Sequence, residues 1–145
     1  MVKMFTRLLY KFVTFDISQI RYKKHTYRAY VAKNTLSRAL GLMHRQSLPS
    51  NYCMLFIFPR ETRLLTTLTM ANMHFPIDVV WLNKRLEAVD KIESAKPSKG
   101  VFTSKEYAPK EPAMYVLEFN AGTIRKIGVK LGSRFDLGDE AKKIL

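Results

Sequence analysis

Hydrophobic and polar positions alternate along much of this chain, which is the period-two pattern of half-buried β-strands. Residues 86–94 interleave apolar and charged side chains, and residues 22–32 are rich in aromatic and β-branched ones. Other segments are short apolar runs bounded by turn residues such as Pro59 and Pro76. The pattern predicts about seven strands, at residues 22–32, 54–58, 63–70, 77–82, 86–94, 114–119 and 133–137.

Helical signals are fewer and shorter. Asn34 or Thr35 can cap a helix over residues 36–41, which Gly41 ends, and Gly128 ends a second helix within residues 121–127. These elements predict an α+β fold, a mainly antiparallel β-sheet curled into a barrel or sandwich with two short helices. Residues 95–112, with three prolines and a glycine, are predicted to form a long surface loop.

The N-terminal segment has a different pattern. Residues 3–13 space apolar side chains at i, i+3, i+4 and i+7 and place lysine and arginine on another face, which predicts an amphipathic helix. Residues 8–15 also suit an edge strand. We therefore divide the chain into a basic amphipathic extension at 1–20, a single β-rich domain at 21–138 and a charged tail at 139–145.

Charge is distributed unevenly along the chain. The formal net charge is +13, and residues 1–60 hold 11 of the 25 basic residues but only one of the 12 acidic ones, Asp16. Such a field favours anionic partners. Basic residues alternate with tyrosines at 21–33, as they do on protein surfaces that bind single-stranded nucleic acid. The same alternation is also expected of a half-buried strand that buries its tyrosines on one face. The candidate nucleic-acid-binding residues are Arg21, Lys23, Lys24, Arg28 and Lys33.

Compartment and membrane signals are limited. Cys53 has no second cysteine to pair with, so no disulfide framework argues for secretion. Residues 3–13 are too short and too charged for a transmembrane span or a signal peptide, so we expect a cytoplasmic protein. The same residues suit peripheral contact with anionic lipid or packing on their own domain.

Four blocks in order along the chain carry recognisable motifs. They are Gly-Leu-Met at 41–43 with Arg45 and a Ser-Leu-Pro turn at 47–49, Met-Leu-Phe-Ile-Phe at 54–58, residues 69–78 with Met70, Asn72, Pro76 and Asp78, and the segments 115–122 and 128–132. The blocks resemble the family called domain of unknown function 192 (DUF192) over about residues 29–137. Thr69, Ala71, Cys53 and Ser133 depart from the family pattern. The resemblance implies no settled activity.

Candidate chemistry rests on polar residues set among apolar ones. Arg45, Asn72, Asp78 and Glu118 are such residues, and they predict either a buried hydrogen-bonded network or a ligand pocket. In the first case Arg45 pairs with Asp78. In the second, Arg45 and Asn72 hold an anion or carbonyl at the mouth of a small barrel.

Enzyme signatures are weak. The three histidines lack metal-ligand spacing, and no glycine-rich phosphate loop occurs, so we expect no metal and no cofactor. The sequence favours a noncatalytic binding or interaction module for an anionic ligand. A nucleic-acid-binding protein and an enzyme with unidentified catalytic groups are the alternatives.

Overall fold

The computed structural model describes residues 2–100 and 104–143 and confirms the α+β fold. Part of the predicted 95–112 loop, part of the tail, and the side chains of residues 2, 3 and 140 lie outside the described residues. The described helices are α1 (Val2–Tyr10), α2 (Thr35–Leu40), α3 (Thr123–Ile127) and α4 (Asp139–Lys143). The strands are β1 (Asp16–Tyr22), β2 (His25–Ala32), β3 (Tyr52–Thr62), β4 (Leu68–Thr69), β5 (Ile77–Leu82), β6 (Ala88–Ala95), β7 (Glu106–Tyr107), β8 (Ala113–Asn120) and β9 (Asp136–Leu137).

Seven strands form one curled sheet in the order β6-β5-β8-β3-β2-β1-β9, and β4 pairs with β7 separately. Every pair in the larger sheet is antiparallel except β2 with β3. Parallel neighbours need a crossover connection, which here runs through α2 and the segment 41–51. The only parallel pair among the described strands therefore places α2 over one face of the sheet.

Both faces of the sheet are covered, which explains why its central strands are apolar except for a few residues such as Asp78 and Glu118. All six residues of β5 and six of the eight in β8 are buried. Side chains of β8 alternate between two cores: Leu117 and Phe119 pack in the one that contains α3, and Val116 packs in the other with Phe56 and Trp81. We call the second one the α2-side core.

Several element boundaries differ from the sequence predictions. Residues 2–10 are helical, so the edge-strand alternative for 8–15 is wrong. The predicted 63–70 strand is limited to Leu68–Thr69. The hydroxyl groups of Thr66 and Thr67 donate hydrogen bonds to the carbonyls of residues 62 and 63, which holds this part of the segment in a turn. The 133–137 strand shortens to Asp136–Leu137, and β1 was not predicted. Residues 16–20, assigned above to the extension, hydrogen-bond within the sheet.

Candidate functional site

A cavity of about 530 Å³ lies between the sheet and the α2 side of the molecule. We call it the α2 cavity. Its walls come from α2, the residues that follow it, the 65–70 segment, and the facing parts of β3, β5 and β8. The described lining is mainly apolar and includes Met43, Met70, Met73, Phe56 and Phe58, and it also contains four threonines. This volume and lining are typical of small-molecule sites.

Glu118 is the acidic side chain of the described part of this lining. It lies in β8 opposite Met54 of β3 and Val79 of β5, so it enters the α2-side core from the centre of the sheet. Only 6% of the residue is exposed, and within residues 2–100 and 104–143 no side chain or backbone group hydrogen-bonds to its carboxyl group. Burial raises the pKa of Glu118 to about 8, so the group is largely neutral at pH 7.

Arg38 provides the basic group of the described lining. Its Nη1 donates to the carbonyls of Lys33 at 2.7 Å and Ile57 at 2.9 Å, and its guanidinium carbon lies 5.2 Å from the centre of the Phe58 ring. Glu118 pairs with Met54, three residues before Ile57, so the β3 backbone positions beside Glu118 and the Arg38 guanidinium are roughly 10 Å apart along the strand. The cavity lining therefore contains a carboxyl group and a guanidinium at different levels of β3.

The local sequence explains how α2 holds this position. The Asn34 side chain accepts from the Ser37 amide, and the Ser37 hydroxyl oxygen accepts from the Asn34 amide, which is a reciprocal N-terminal cap. Gly41 ends the helix at φ +46°, and a Cβ there would lie 2.8 Å from Cζ of Phe56. Only glycine lets the chain pass this close to the cavity wall.

Arg45 is not part of the α2 cavity lining. Its guanidinium carbon stacks 4.3 Å from the centre of the Tyr30 ring, with Phe15 and Tyr10 at 5.6 and 5.9 Å. The buried Nε has no hydrogen-bond partner among residues 2–100 and 104–143. Three aromatic rings thus hold the arginine between the N-terminal segment and β2.

Asp78 is fully buried and accepts hydrogen bonds from two backbone amides. Its Oδ1 accepts from the amide of Ser94 at 2.8 Å and its Oδ2 from the amide of Ile124 at 3.0 Å. The carboxylate therefore joins β5 to the end of β6 and to the start of α3. No ion pair joins it to Arg45 in the described part of the chain, so the predicted Arg45–Asp78 pairing is wrong.

Asn72 lies in a turn with a left-handed backbone, φ +58°, and its carbonyl accepts from the His44 amide at 2.9 Å. This bond joins the Gly-Leu-Met segment to the 69–78 segment. The four predicted residues therefore do not form one cluster, because only Glu118 lines the α2 cavity. Sequence analysis did not select Arg38, since one arginine in a short helix carries no pattern that distinguishes it from a solvated residue.

The predicted basic residues lie around the β1–β2 hairpin. Arg21 pairs with Asp136 at 3.3 Å and Lys33 with Asp16 at 2.6 Å, whereas Lys24 is exposed. Arg28 stacks 5.3 Å from the Tyr52 ring, and Lys23 lies 5.3 Å from the Tyr22 ring. Strand register sets Gln19 opposite Arg28, which puts Arg21 and Arg28 on the same face of the hairpin.

Two chemical features are absent from the described residues. No three of their histidine, cysteine, aspartate and glutamate side chains converge as metal ligands would. Among residues 2–100 and 104–143, none of the helices has the length and apolar character that crossing a bilayer requires.

Known proteins are similar to this chain over most of its length. The DUF192 family model, described as "Uncharacterized ACR", matches residues 17–137. A UPF0127 protein of Pyrococcus furiosus is 35% identical over 105 residues, covering 72% of this chain and 82% of that protein. A UPF0127 protein of Thermococcus sibiricus is 32% identical over 120 residues, covering 83% of this chain and 72% of that protein.

Solved structures agree with the fold. The crystal structure of a "putative transcription regulator" from Sinorhizobium meliloti superposes with a TM-score of 0.78 at 27% identity and covers 86% of this chain and 96% of that chain. A protein of unknown function from Novosphingobium aromaticivorans gives a TM-score of 0.72 at 22% identity and covers 84% of each chain. The second likeness supports the fold alone.

Proposed function

This chain belongs to the DUF192 family, and we propose that it is a noncatalytic binding protein that takes a small anionic ligand into the α2 cavity. One observation carries the proposal. Glu118 is a largely buried acidic side chain that lines the α2 cavity and makes no hydrogen bond to a described residue, and its oxygens are not among the fully enclosed unpaired atoms. Its hydrogen-bonding capacity is therefore open to a molecule in the cavity, and a ligand that pairs with it gains a hydrogen bond in a low-dielectric site.

Arg38 supports an anionic ligand. Only its Nη1 is engaged by groups in the described chain, so Nε and Nη2 are available to donate to a carboxylate or phosphate. The chain's formal charge of +13 draws anions toward the surface. Glu118 does not oppose this, because its raised pKa of about 8 keeps it largely uncharged at pH 7.

The noncatalytic assignment rests on the composition of the described lining. It contains no histidine, cysteine or second carboxylate to act with Glu118, and the hydroxyls of its Thr66 and Thr67 already donate to backbone carbonyls. The enzyme alternative would use Glu118 as a single general acid, for which a pKa near neutrality is suited. NMR of bound ligands after prolonged incubation distinguishes the binding protein from the enzyme. A binding protein leaves the ligands unchanged, whereas an enzyme converts them.

The test is titration calorimetry with a panel of small carboxylates and phosphates. Arg38→Gln is expected to weaken anion binding by about tenfold or more, because one charge-assisted contact is lost. Arg60→Gln, a change at an exposed arginine outside the cavity lining, serves as the matched control. Equal affinities in the two variants, at similar melting temperatures, would contradict the proposal.

Nucleic-acid binding through Arg21, Lys23, Lys24, Arg28 and Lys33 is the second candidate function. The S. meliloti neighbour named as a regulator favours it, as does a cleft lined by Arg21, Lys23, Arg134 and Lys142, in which Asp136 pairs with Arg21 and Lys142. Phosphate contacts make affinity fall steeply with salt. Lys24→Gln with Arg28→Gln should weaken oligonucleotide binding, whereas Lys126→Gln, an exposed change in α3, should not. Binding that is insensitive to salt would eliminate this candidate.

Membrane contact through residues 3–13 is proposed as a partner interaction. Met4, Phe5, Leu8 and Phe12 are exposed large apolar side chains, and Arg7 and Lys11 are exposed beside them. Apolar insertion together with basic attraction is the arrangement of interfacial helices. Co-sedimentation with phosphatidylglycerol vesicles but not with phosphatidylcholine vesicles is expected, and Leu8→Ser should weaken it. Equal binding of both vesicle types would contradict an electrostatic contribution.

A further inference from the structure

The surroundings of Glu118 in the α2 cavity indicate what kind of anion the cavity takes. We propose that Glu118 donates a hydrogen bond to the inner end of the ligand, so that the ligand is an anion whose apolar body carries a carbonyl group remote from its charge. This inference rests on the proposed function and adds the chemical class of the ligand. It assigns Arg38 to the charged end and Glu118 to the neutral end.

The surroundings of Glu118 explain why a neutral acceptor suits this position. Met54 of β3 and Val79 of β5 flank it in the sheet, and both belong to the apolar α2-side core. Arg38 is the other charged side chain in the described lining, and it bonds to the Ile57 carbonyl, roughly 10 Å along β3 from the Met54 position beside Glu118. Among the described residues no cation is close enough to hold Glu118 as a carboxylate, so it retains a hydroxyl that can donate.

A ligand ammonium is the competing partner for a buried carboxyl group. Such a cation would have to enter a cavity that already contains the Arg38 guanidinium, in a chain with formal charge +13. Both charges act against its entry. A carbonyl oxygen accepts from the Glu118 hydroxyl and brings no charge into the apolar end of the cavity.

The walls between the two ends suit a flexible chain. Met43, Met70 and Met73 contribute unbranched, polarizable side chains that adapt to irregular shapes, and Phe56 lies between the levels of Glu118 and Arg38 on β3. A straight chain of about eight carbons is of the order of the 10 Å separation along the strand. The inferred ligand class is therefore the medium-chain oxo-carboxylates and amides of similar shape.

The experiment compares octanoate with 7-oxooctanoate by titration calorimetry at pH 6.5 and pH 9.5, with chains two carbons shorter and longer alongside. The wild-type protein should bind the oxo compound about three- to tenfold more tightly at pH 6.5, which is the net value of one hydrogen bond. That preference should disappear at pH 9.5, where the hydroxyl proton of Glu118 is lost. The carboxylate probes remain ionised at both pH values.

Two variants identify the donor. Glu118→Gln places a non-titrating amide N–H at the same position and should retain the preference at both pH values. Glu118→Met removes the donor while it preserves the apolar volume, so it should abolish the preference and still bind octanoate. A preference that survives in Glu118→Met would overturn the assignment.

The outcomes distinguish this inference from the proposed function. If octanoate and 7-oxooctanoate bind the wild-type protein equally at pH 6.5, the anion-binding function stands and the inference fails. If octylamine binds more tightly than both and its affinity increases above pH 8, Glu118 is a cation site and the inference is overturned. If no carboxylate of the series binds, the proposed function fails and this inference fails with it.

Discussion

Replacement of Glu118 by glutamine should change the stability of the protein in a way that depends strongly on pH. Burial raises the pKa of this carboxyl group from its ordinary 4.5 to about 8, and no neighbouring charge contributes to the shift. A group whose pKa is higher in the folded state binds its proton more tightly there than in the unfolded chain. The contribution of Glu118 to the free energy of unfolding is fully favourable below pH 4.5 and is lost as the pH rises toward 8.

The magnitude follows from the size of the shift. Each pKa unit corresponds to about 1.4 kcal/mol, so the wild-type protein should lose roughly 5 kcal/mol relative to Glu118→Gln between pH 4.5 and pH 9. The glutamine variant does not titrate and retains a side chain of nearly the same shape. A loss of this size is a large part of the 5–15 kcal/mol that stabilises a typical domain, so it should be readily measurable.

Urea unfolding at several pH values measures the effect. Trp81 is the only tryptophan, is fully buried, and donates from Nε1 to the Thr66 carbonyl at 2.9 Å, so its fluorescence reports unfolding next to the α2 cavity. Subtraction of wild-type from variant stability cancels the other titrating groups. Glu111→Gln, at an exposed glutamate, is the control and should show no such trend. A wild-type-to-variant difference that is the same at pH 5 and pH 9 would refute the reasoning.

Three further predictions test other parts of the structure by urea unfolding. Asp78→Ala should lower the free energy of unfolding by about 3 kcal/mol, because two backbone amides lose a buried carboxylate acceptor. A loss smaller than that caused by Asp139→Ala, at an exposed aspartate, would contradict this role. Arg45→Ala should lower the free energy of unfolding by about 2 kcal/mol and increase proteolysis before residue 16, because three aromatic rings lose their cation. Unchanged proteolysis would contradict the role of Arg45 in holding the N-terminal segment. Gly41→Ala should cost about 1–3 kcal/mol because its Cβ would meet Phe56 at 2.8 Å, and a neutral effect would show that the cavity wall yields.

Local sequence patterns predicted the elements that depend on neighbouring residues. Period-two alternation and apolar runs located five strands of the large sheet, at β2, β3, β5, β6 and β8, and the Asn34 cap with Gly41 located α2. The pattern of β5, which is buried throughout, and of β8, which is buried at six of its eight residues, indicates strands because both of their faces meet apolar side chains. The strand predicted at 63–70 was mostly wrong because hydroxyl groups of threonines there bond to nearby carbonyls, and sequence alone does not show which arrangement prevails.

The candidate site was predicted only in part, for a related reason. Glu118 stood out as an acidic residue in an apolar strand, and the structure places it in the lining of the α2 cavity. Arg45 and Asp78 looked equally unusual, yet one stacks on aromatic rings and the other binds backbone amides. A sequence shows that a polar residue lies among apolar neighbours, but the partner that satisfies it comes from another element.

The sequence by itself determined the strand-rich composition, the helix caps, the basic charge and the family, because each depends on residue type and short spacing. Tertiary structure alone decided that α2 lies in the crossover between parallel β2 and β3, and that Arg38 and Glu118 line one cavity. These two residues are 80 positions apart in the chain. Their relation depends on strand order and packing, which no local pattern encodes.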